Sequence, residues 1–182
     1  MVDVIGVSGS LRQGSYNTAL LNAAQELAPA GMDIVTSQID AVPVYNADVQ
    51  TQGFPESVLA LAEAIRSADG VLIATPEYNY SIPGGLKNAI DWLSRIDDQP
   101  FAQKPIALMG ASMGAQGTSR AQYHLRQVFV FLDARVMNRP EVFVGAAHTK
   151  IDDSAALVDQ DTRQFLAGYL EAFRAWIGGT AK

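Results

Sequence analysis

The stretch Gly6 to Leu20, GVSGSLRQGSYNTAL, decides how the rest of the chain is read. On its N-terminal side Val2, Val4, Ile5 and Val7 predict a buried strand. On its C-terminal side Ser15 or Asn17 caps a predicted helix whose inner face carries Leu20, Ala24 and Leu27. The connection is made of hydroxyls, an arginine and glycines. At a helix N-terminus such a loop offers unpaired backbone N–H groups and the positive end of the helix dipole, and its small side chains let an anion come close. Ser8, Ser10, Ser15 and Asn17 can add hydrogen bonds, and Arg12 a charged fork. By itself the stretch fits a phosphate cradle or a plain surface connector with capping residues.

The remaining chain alternates short apolar runs with helical patterns. Asp33 to Ile39 alternates apolar and polar residues, and Asp40 to Phe54 reads as a loop rich in turn formers. Pro55 suits the first turn of a helix with Val58, Leu61, Ala62 and Ile65 on one face. Val71 to Ala74 predicts a third strand. After the loop from Thr75 and Pro76, Gly85 to Ile96 predicts a helix with Leu86, Ala89, Ile90 and Leu93 on one stripe. Trp92 and Ile96 fall off that stripe, as core or as a subunit contact. Pro105 to Met109 predicts the fourth strand, Gly110 to Ser119 a loop, and the next helix runs through about Leu132. Val136 and Met137, with Val142 to Val144, predict the fifth strand. The last helix presents Leu166, Tyr169, Leu170, Phe173 and Ile177, and the tail Gly178 to Lys182 is expected to fray.

Apolar strands alternating with helices imply a parallel sheet covered on both faces. The expected fold is a flavodoxin-like three-layer α/β/α sandwich with a five-stranded parallel sheet in the order 2-1-3-4-5. A chain of 182 residues, 48% of them hydrophobic, suits a single domain over residues 1–182. With 13 Lys and Arg against 19 Asp and Glu, the net charge is -6, which argues against a nucleic-acid surface. There is no cysteine, and His124 and His148 are too far apart for a local metal pair, so no metal is expected. No apolar run is long enough to span a bilayer and no secretory leader is evident, so a cytoplasmic location is expected.

In open parallel sheets ligands bind beyond the carboxyl ends of the strands, where the strand order reverses, here between strands one and three. The loops Ser8 to Tyr16, Pro76 to Gly84 and Gly110 to Ser119 follow strands one, three and four and should share one crevice. The second, TPEYNYSIPGG, sets aromatic rings on a backbone held by prolines and glycines. It can present the N–H groups of Glu77, Tyr78 and Asn79 to the edge of a planar ring such as an isoalloxazine, with Tyr78 or Tyr80 beside the ring plane. Neither G-x-G-x-x-G nor Gly-Lys-Ser/Thr occurs in the first loop, so a dinucleotide fingerprint and a Walker loop are both unsupported. Gly110-Ala111-Ser112-Met113-Gly114 matches a G-x-S-x-G nucleophile elbow, with Asp133 and His148 following in hydrolase order. Against a serine hydrolase using Ser112, the residues Ala115 to Thr118 intervene where the elbow's helix should begin.

Together, GSLRQGSYN, TPEYNYSIPGGLKNAIDWLSR and SMGAQGTSRAQYHLRQVFVFLDARVMNRPE resemble the NADPH-dependent FMN reductase family, and within it the bacterial quinone and chromate reductase branch. The resemblance spans essentially the whole chain. It implies an enzyme that binds FMN and takes electrons from NADPH or NADH. It assigns the FMN phosphate to Ser10, Arg12, Ser15 and Asn17, with Tyr16 beside them, the ring and ribityl chain to Pro76, Glu77, Tyr78, Asn79 and Tyr80, and the other ring edge to Ser112, Met113, Gly114 and Gly117. Thr118 stands where the branch often has a second glycine. The resemblance also implies a homodimer or homotetramer, with Arg120, Tyr123 and Glu141 at subunit contacts beside Trp92. Quinones are the expected acceptors, with free flavin, chromate, ferric complexes and azo or nitro compounds also in reach, reduced in alternating half-reactions without a catalytic side chain. The alternative from another class is a flavodoxin-like electron carrier, whose phosphate loop would read Thr/Ser-x-Thr-Gly-x-Thr, a pattern this chain lacks.

Overall fold

A computed structural model describes residues 1–179. In chain order the elements are β1 (Val2–Ser8), α1 (Tyr16–Glu26), β2 (Met32–Ser37), α2 (Ala47–Gln50), α3 (Glu56–Ser67), β3 (Gly70–Ala74), α4 (Gly84–Leu93), β4 (Pro105–Ala111), α5 (Ser119–Phe131), β5 (Arg135–Val136), β6 (Val142–Val144) and α6 (Gln160–Gly179). All the strand pairs are parallel, in the order β2-β1-β3-β4-β5, with β6 also on β4. The flavodoxin-like order is therefore as the alternating pattern requires.

Side chains of the central strands alternate between two cores. Val4, Leu72, Ala74, Ala107 and Met109 face α1 and α6, where they meet Leu20, Leu21, Leu166, Tyr169, Leu170 and Phe173. Ile5, Val7, Val71, Ile73, Ile106 and Leu108 face α3, α4 and α5, meeting Val58, Leu61, Ile65, Leu86, Ile90, Leu125 and Phe129. The period of two in the strands and of 3.6 in the helices thus fills both sides of one sheet. Strand β2, at the edge, keeps only Met32 and Ile34 inside, which is why it alternates while β3 and β4 do not.

Two expectations about elements are corrected. The fifth strand is split: Arg135 and Val136 pair with Pro105 and Ile106, and Val142–Val144 pair with Met109–Ala111, so two short strands share one edge of β4. Between them the Leu108 carbonyl accepts a hydrogen bond from the Tyr169 hydroxyl at 2.7 Å, and the ring of Tyr169 is buried. Burial pushes the Tyr169 pKa well above its ordinary value. The loop before α3 also contains the short helix α2, capped by Asn46. The last helix continues through Gly179, and Thr180–Lys182 lie outside the described residues. Among the described residues no helix is long and apolar enough to cross a membrane.

Candidate functional site

Strands β1, β3 and β4 end side by side, with Ser8 paired to Ala74 and Ala74 to Met109, so the three loops leave the sheet along the same edge. The first loop and the second touch at Gly9. A Cβ there would lie 3.0 Å from Leu86 Cδ2 and 3.3 Å from Pro76 Cδ, and the Gly9 N–H donates to the Ala74 carbonyl at 2.8 Å. Leu11 reaches the start of α4 at Gly85.

In the first loop Ser15, rather than Asn17, caps α1: its Oγ accepts from the N–H groups of Asn17 (3.2 Å) and Thr18 (3.4 Å). Backbone N–H groups of Leu11, Gln13, Gly14 and Tyr16 make no hydrogen bond among the described residues. This row of unused donors at a helix N-terminus is a cradle for an anion. Gly14 sits at φ 66°, and a Cβ added there would meet nothing within 4 Å, so the loop turns at this residue without closing the opening. Arg12 lies at the rim, its Nη2 donating to the Gly14 carbonyl at 2.7 Å and its guanidinium 5.3 Å from the centre of the Tyr16 ring. A cavity of about 360 Å³ opens here, bounded by Ser10, Arg12, Gly14, Ser15 and, on its far side, Gln38 and Asp40. Ser10 Oγ accepts a long bond from the Arg12 N–H, at 3.4 Å.

Asn17 is the exception among the expected phosphate contacts. It is buried, and both ends of its carboxamide are bonded to the backbone of Ala111, Nδ2 to the carbonyl at 3.0 Å and Oδ1 to the N–H at 2.9 Å. These two bonds and its burial turn the carboxamide toward Ala111, leaving only the second Nδ2 N–H uncommitted as a donor.

The second loop is a short hairpin. Tyr78 and Ser81 exchange backbone hydrogen bonds of 3.1 and 2.9 Å around Asn79 (φ 51°) and Tyr80 (φ 63°), both left-handed. For a tyrosine this conformation is strained and needs outside support. That support comes from α5. The Arg120 guanidinium lies 4.0 Å from the Tyr80 ring centre, and Ser81 Oγ bonds His124 Nδ1 at 3.0 Å. Glu77, its side chain only 10% exposed, accepts from the Ala121 N–H at 3.0 Å and faces Arg120 Nη1 at 3.6 Å. The Tyr78 N–H is consumed by the hairpin, which corrects its assignment as a donor to a ring, whereas those of Glu77 and Asn79 make no hydrogen bond among the described residues. Pro76 is buried; Tyr78 and Tyr80 are exposed.

The third loop is closed on itself. Ser112 Oγ donates to the Gly117 carbonyl at 2.7 Å, and the Gly117 N–H to the Gly114 carbonyl at 3.3 Å. Gly117, at φ 58°, would put a Cβ 2.7 Å from the Phe143 carbonyl carbon, so only glycine fits. Thr118 is buried and accepts from Gln122 Nε2 at 3.0 Å. A Cβ on Gly110 would lie 2.0 Å from Thr118 Oγ1, so Thr118 is accommodated by the glycine on the strand beneath it. Met113 is left 63% exposed. The serine hydrolase reading fails on geometry. Asp133 follows α5 and pairs with Gln103 near the start of β4, at the opposite end of the sheet from Ser112, and no helix begins until Ser119.

Of the expected subunit contacts, Trp92 is corrected. Its ring is fully buried against Tyr45 and Phe54, with Nε1 donating to the Pro43 carbonyl at 2.8 Å. The loop from Pro43 to Phe54 covers the second apolar face of α4. Tyr123 is exposed beside Phe143, and Glu141 lies 4.0 Å from Arg126.

Residues 2–149 match the NADPH-dependent FMN reductase family. An NAD(P)H-dependent FMN reductase of Pseudomonas aeruginosa is 51% identical over 176 residues, 97% of this chain and 95% of that protein. The chain belongs to this family. A quinone reductase of Escherichia coli is 52% identical over 179 residues, covering 97% of this chain and 95% of its own. Among solved structures, a flavoenzyme NAD(P)H:(acceptor) oxidoreductase from Paracoccus denitrificans superimposes with a TM-score of 0.90 at 35% identity, over 99% of each chain. FMN is the cofactor this family implies, and the residues present fit it: unused N–H groups for the phosphate at one end, and two free N–H groups in a rigid aromatic hairpin at the other.

Sequence reasoning missed the supports of the site. Ala111, Ala121 and His124 act through contacts 43 to 94 residues away in sequence, and Gln122 through the Val142 carbonyl 20 residues on, and no local pattern signals them.

Proposed function

We propose that this chain is an FMN-dependent NAD(P)H oxidoreductase whose acceptors are quinones, built as a single FMN-binding domain over residues 1–182. The observation that carries the reading is the shared edge of β1, β3 and β4, where an anion cradle and a braced aromatic hairpin meet. Backbone N–H groups of Leu11, Gln13, Gly14 and Tyr16 would hold the phosphate with Ser10, Arg12 and Ser15 around it. Glu77 and Asn79 would offer N–H groups to the ring edge, where they favour the electron-rich reduced form. Pro76, Tyr78 and Tyr80 would flank that ring, and Ser112, Met113, Gly114 and Gly117 would close its other edge.

FMN, when bound, supplies the redox chemistry, taking a hydride from NADPH or NADH and passing it on in a separate half-reaction. The protein's residues hold, orient and leave one face open. Leu11, Tyr78, Tyr80 and Met113, on the three loops, are all more than half exposed, apolar surface suited to stacking flat acceptors. This supports free flavin and azo or nitro aromatics as further acceptors, while chromate and ferric complexes are proposed only from the family resemblance. Arg120, Tyr123 and Glu141 remain the proposed contacts of a cytoplasmic homodimer or homotetramer.

Stopped-flow mixing of the FMN-loaded protein with NADPH and with NADH tests the reading: at least one should bleach the flavin within a turnover, and a following quinone should restore its colour. Failure of both nucleotides would leave an electron carrier instead. A purified protein that stays colourless after reconstitution with FMN would remove the flavin altogether.

A further inference from the structure

We infer that Asn17 is a positioning residue, which locks the phosphate end of the flavin site to the loop at its other end. The inference rests on the FMN reading above. Its basis is the way β4 outlasts its neighbour. On the side of β4 that faces β3, the Met109 carbonyl receives the N–H of Thr75 at 2.9 Å. There β3 is already over, and its chain turns away at Pro76. Alternate residues of a strand point their backbone groups to the same side, so Ala111, two residues on, faces the place that β3 has vacated.

Asn17 fills that place. Its carboxamide donates to the Ala111 carbonyl at 3.0 Å and accepts from the Ala111 N–H at 2.9 Å, replacing the N–H and the carbonyl that two successive peptide units of β3 would have offered. A primary carboxamide carries one N–H on the same side as its oxygen, so a single side chain meets both backbone groups of Ala111 and the ladder gains a rung. Aspartate lacks the donor, glutamine is one methylene too long, and serine is too short. The residue is 3% exposed, so solvent does not replace these bonds when they are lost.

The two ends joined are functional. Asn17 stands in the first turn of α1, where its N–H is held by the Ser15 cap of the anion cradle. Ala111 is the last residue of β4, and Ser112 opens the third loop. The other side of this junction is fixed by the Ser112 N–H on the Val144 carbonyl, at 3.0 Å. Ala111 thus sits between β6 and Asn17, and the third loop's entry is set by both.

Riboflavin, which lacks the phosphate, separates a tie from a phosphate ligand. Flavin fluorescence titrations of wild type, Asn17→Ala and Arg12→Ala with FMN and riboflavin are the first arm. For Asn17→Ala both ligands should weaken together, by about tenfold, keeping the wild-type ratio of the two affinities. Arg12→Ala should cut that ratio, because only FMN meets the arginine. Loss of FMN affinity with riboflavin spared in Asn17→Ala would make Asn17 a phosphate ligand and overturn the inference, as would unchanged affinity for both.

The second arm uses the apoprotein. Amide hydrogen exchange at Ala111 and through residues 112–118 should accelerate about tenfold or more in Asn17→Ala, with the amides of β1 and β3 unmoved. In Asn17→Asp, which keeps an acceptor but loses the donor, the Ala111 amide should stay closer to wild type while residues 112–118 still accelerate. This variant also serves if the alanine does not fold. Unchanged exchange through residues 112–118 in either variant would overturn the tie. A wild type that binds neither flavin would overturn the FMN reading alone, and the exchange arm would still decide the role of Asn17.

Discussion

Replacing Glu77 by alanine removes the brace between the aromatic hairpin and α5, and its cost can be worked from the contacts. The Ala121 N–H, in the first turn of α5, loses a charged acceptor at 3.0 Å, a loss worth about 1.5–3 kcal/mol. The pair with Arg120 at 3.6 Å adds little, because Arg120 is 41% exposed and the screened value is about 0–1 kcal/mol. The carboxylate also faces the positive end of the helix, worth about 0.3–1 kcal/mol. Glu77→Ala should therefore destabilise the apoprotein by about 2–5 kcal/mol at pH 7. Glu77→Gln, which still offers an oxygen to Ala121, should lose only about 1 kcal/mol. Urea unfolding gives both numbers, and for a chain of this size the larger loss lowers the melting midpoint by on the order of 10 °C. If glutamine costs as much as alanine, the hydrogen bond is not the dominant contact and the reasoning is refuted. Both variants staying within about 0.5 kcal/mol of wild type would refute it equally.

Other substitutions test the fold around the site. Trp92→Phe should cost about 1–2 kcal/mol in urea, from the lost indole volume and the bond to Pro43, and leave the sedimentation coefficient unchanged; dissociation of an oligomer at wild-type stability would return Trp92 to a subunit contact. Tyr169→Phe should cost about 1–3 kcal/mol, because the Leu108 carbonyl loses its partner in the interior. Burial raises the Tyr169 pKa, so the folded state holds its proton above pH 10.0, where the unfolded chain begins to release one. That part of the stability falls as pH rises past 10.0, and the phenylalanine variant should show a flatter alkaline limb. At the acid end, hydrogen bonds from Ser154 and Thr162 hold the Asp152 and Asp159 carboxyls below their ordinary value of 3.8. Their contribution is complete above pH 3.8 and is lost as pH falls through the lower folded values, so Asp159→Asn should shrink the acid dependence of unfolding.

The layers, the strand order and the placement of three loops on one edge were readable in the chain, because each rests on a repeating signal. Continuous apolar runs mark β1, β3 and β4, and the period of 3.6 is written many times over in α3 and α6. What escaped was written only once. At the break in the fifth strand the Leu108 carbonyl takes its partner from one hydroxyl, that of Tyr169, 61 residues away. The burial of Trp92 depends on the Pro43 to Phe54 loop folding back over α4, and a loop's composition does not state what it covers. In the site, residue types marked the right loops but not the direction of each side chain. Asn17 carries the polar group a phosphate site wants, yet its position on the inner face of α1 sends that group into the sheet.

The Tyr169 hydroxyl at the gap in the sheet has a bearing on where this protein can be cut. The family match ends at residue 149, before α6 begins at Gln160, as though the last helix were an appendage. Physically it is the piece that finishes the sheet. A fragment stopping at Thr149 would leave the Leu108 carbonyl bare and uncover Met109, Val142 and Val144, which belong to the same core as Leu166 and Phe173. Such a fragment would present a frayed parallel edge to other copies and should be recovered in aggregates. A shared ancestry can be traced to one residue number while the smallest unit able to fold extends well beyond it.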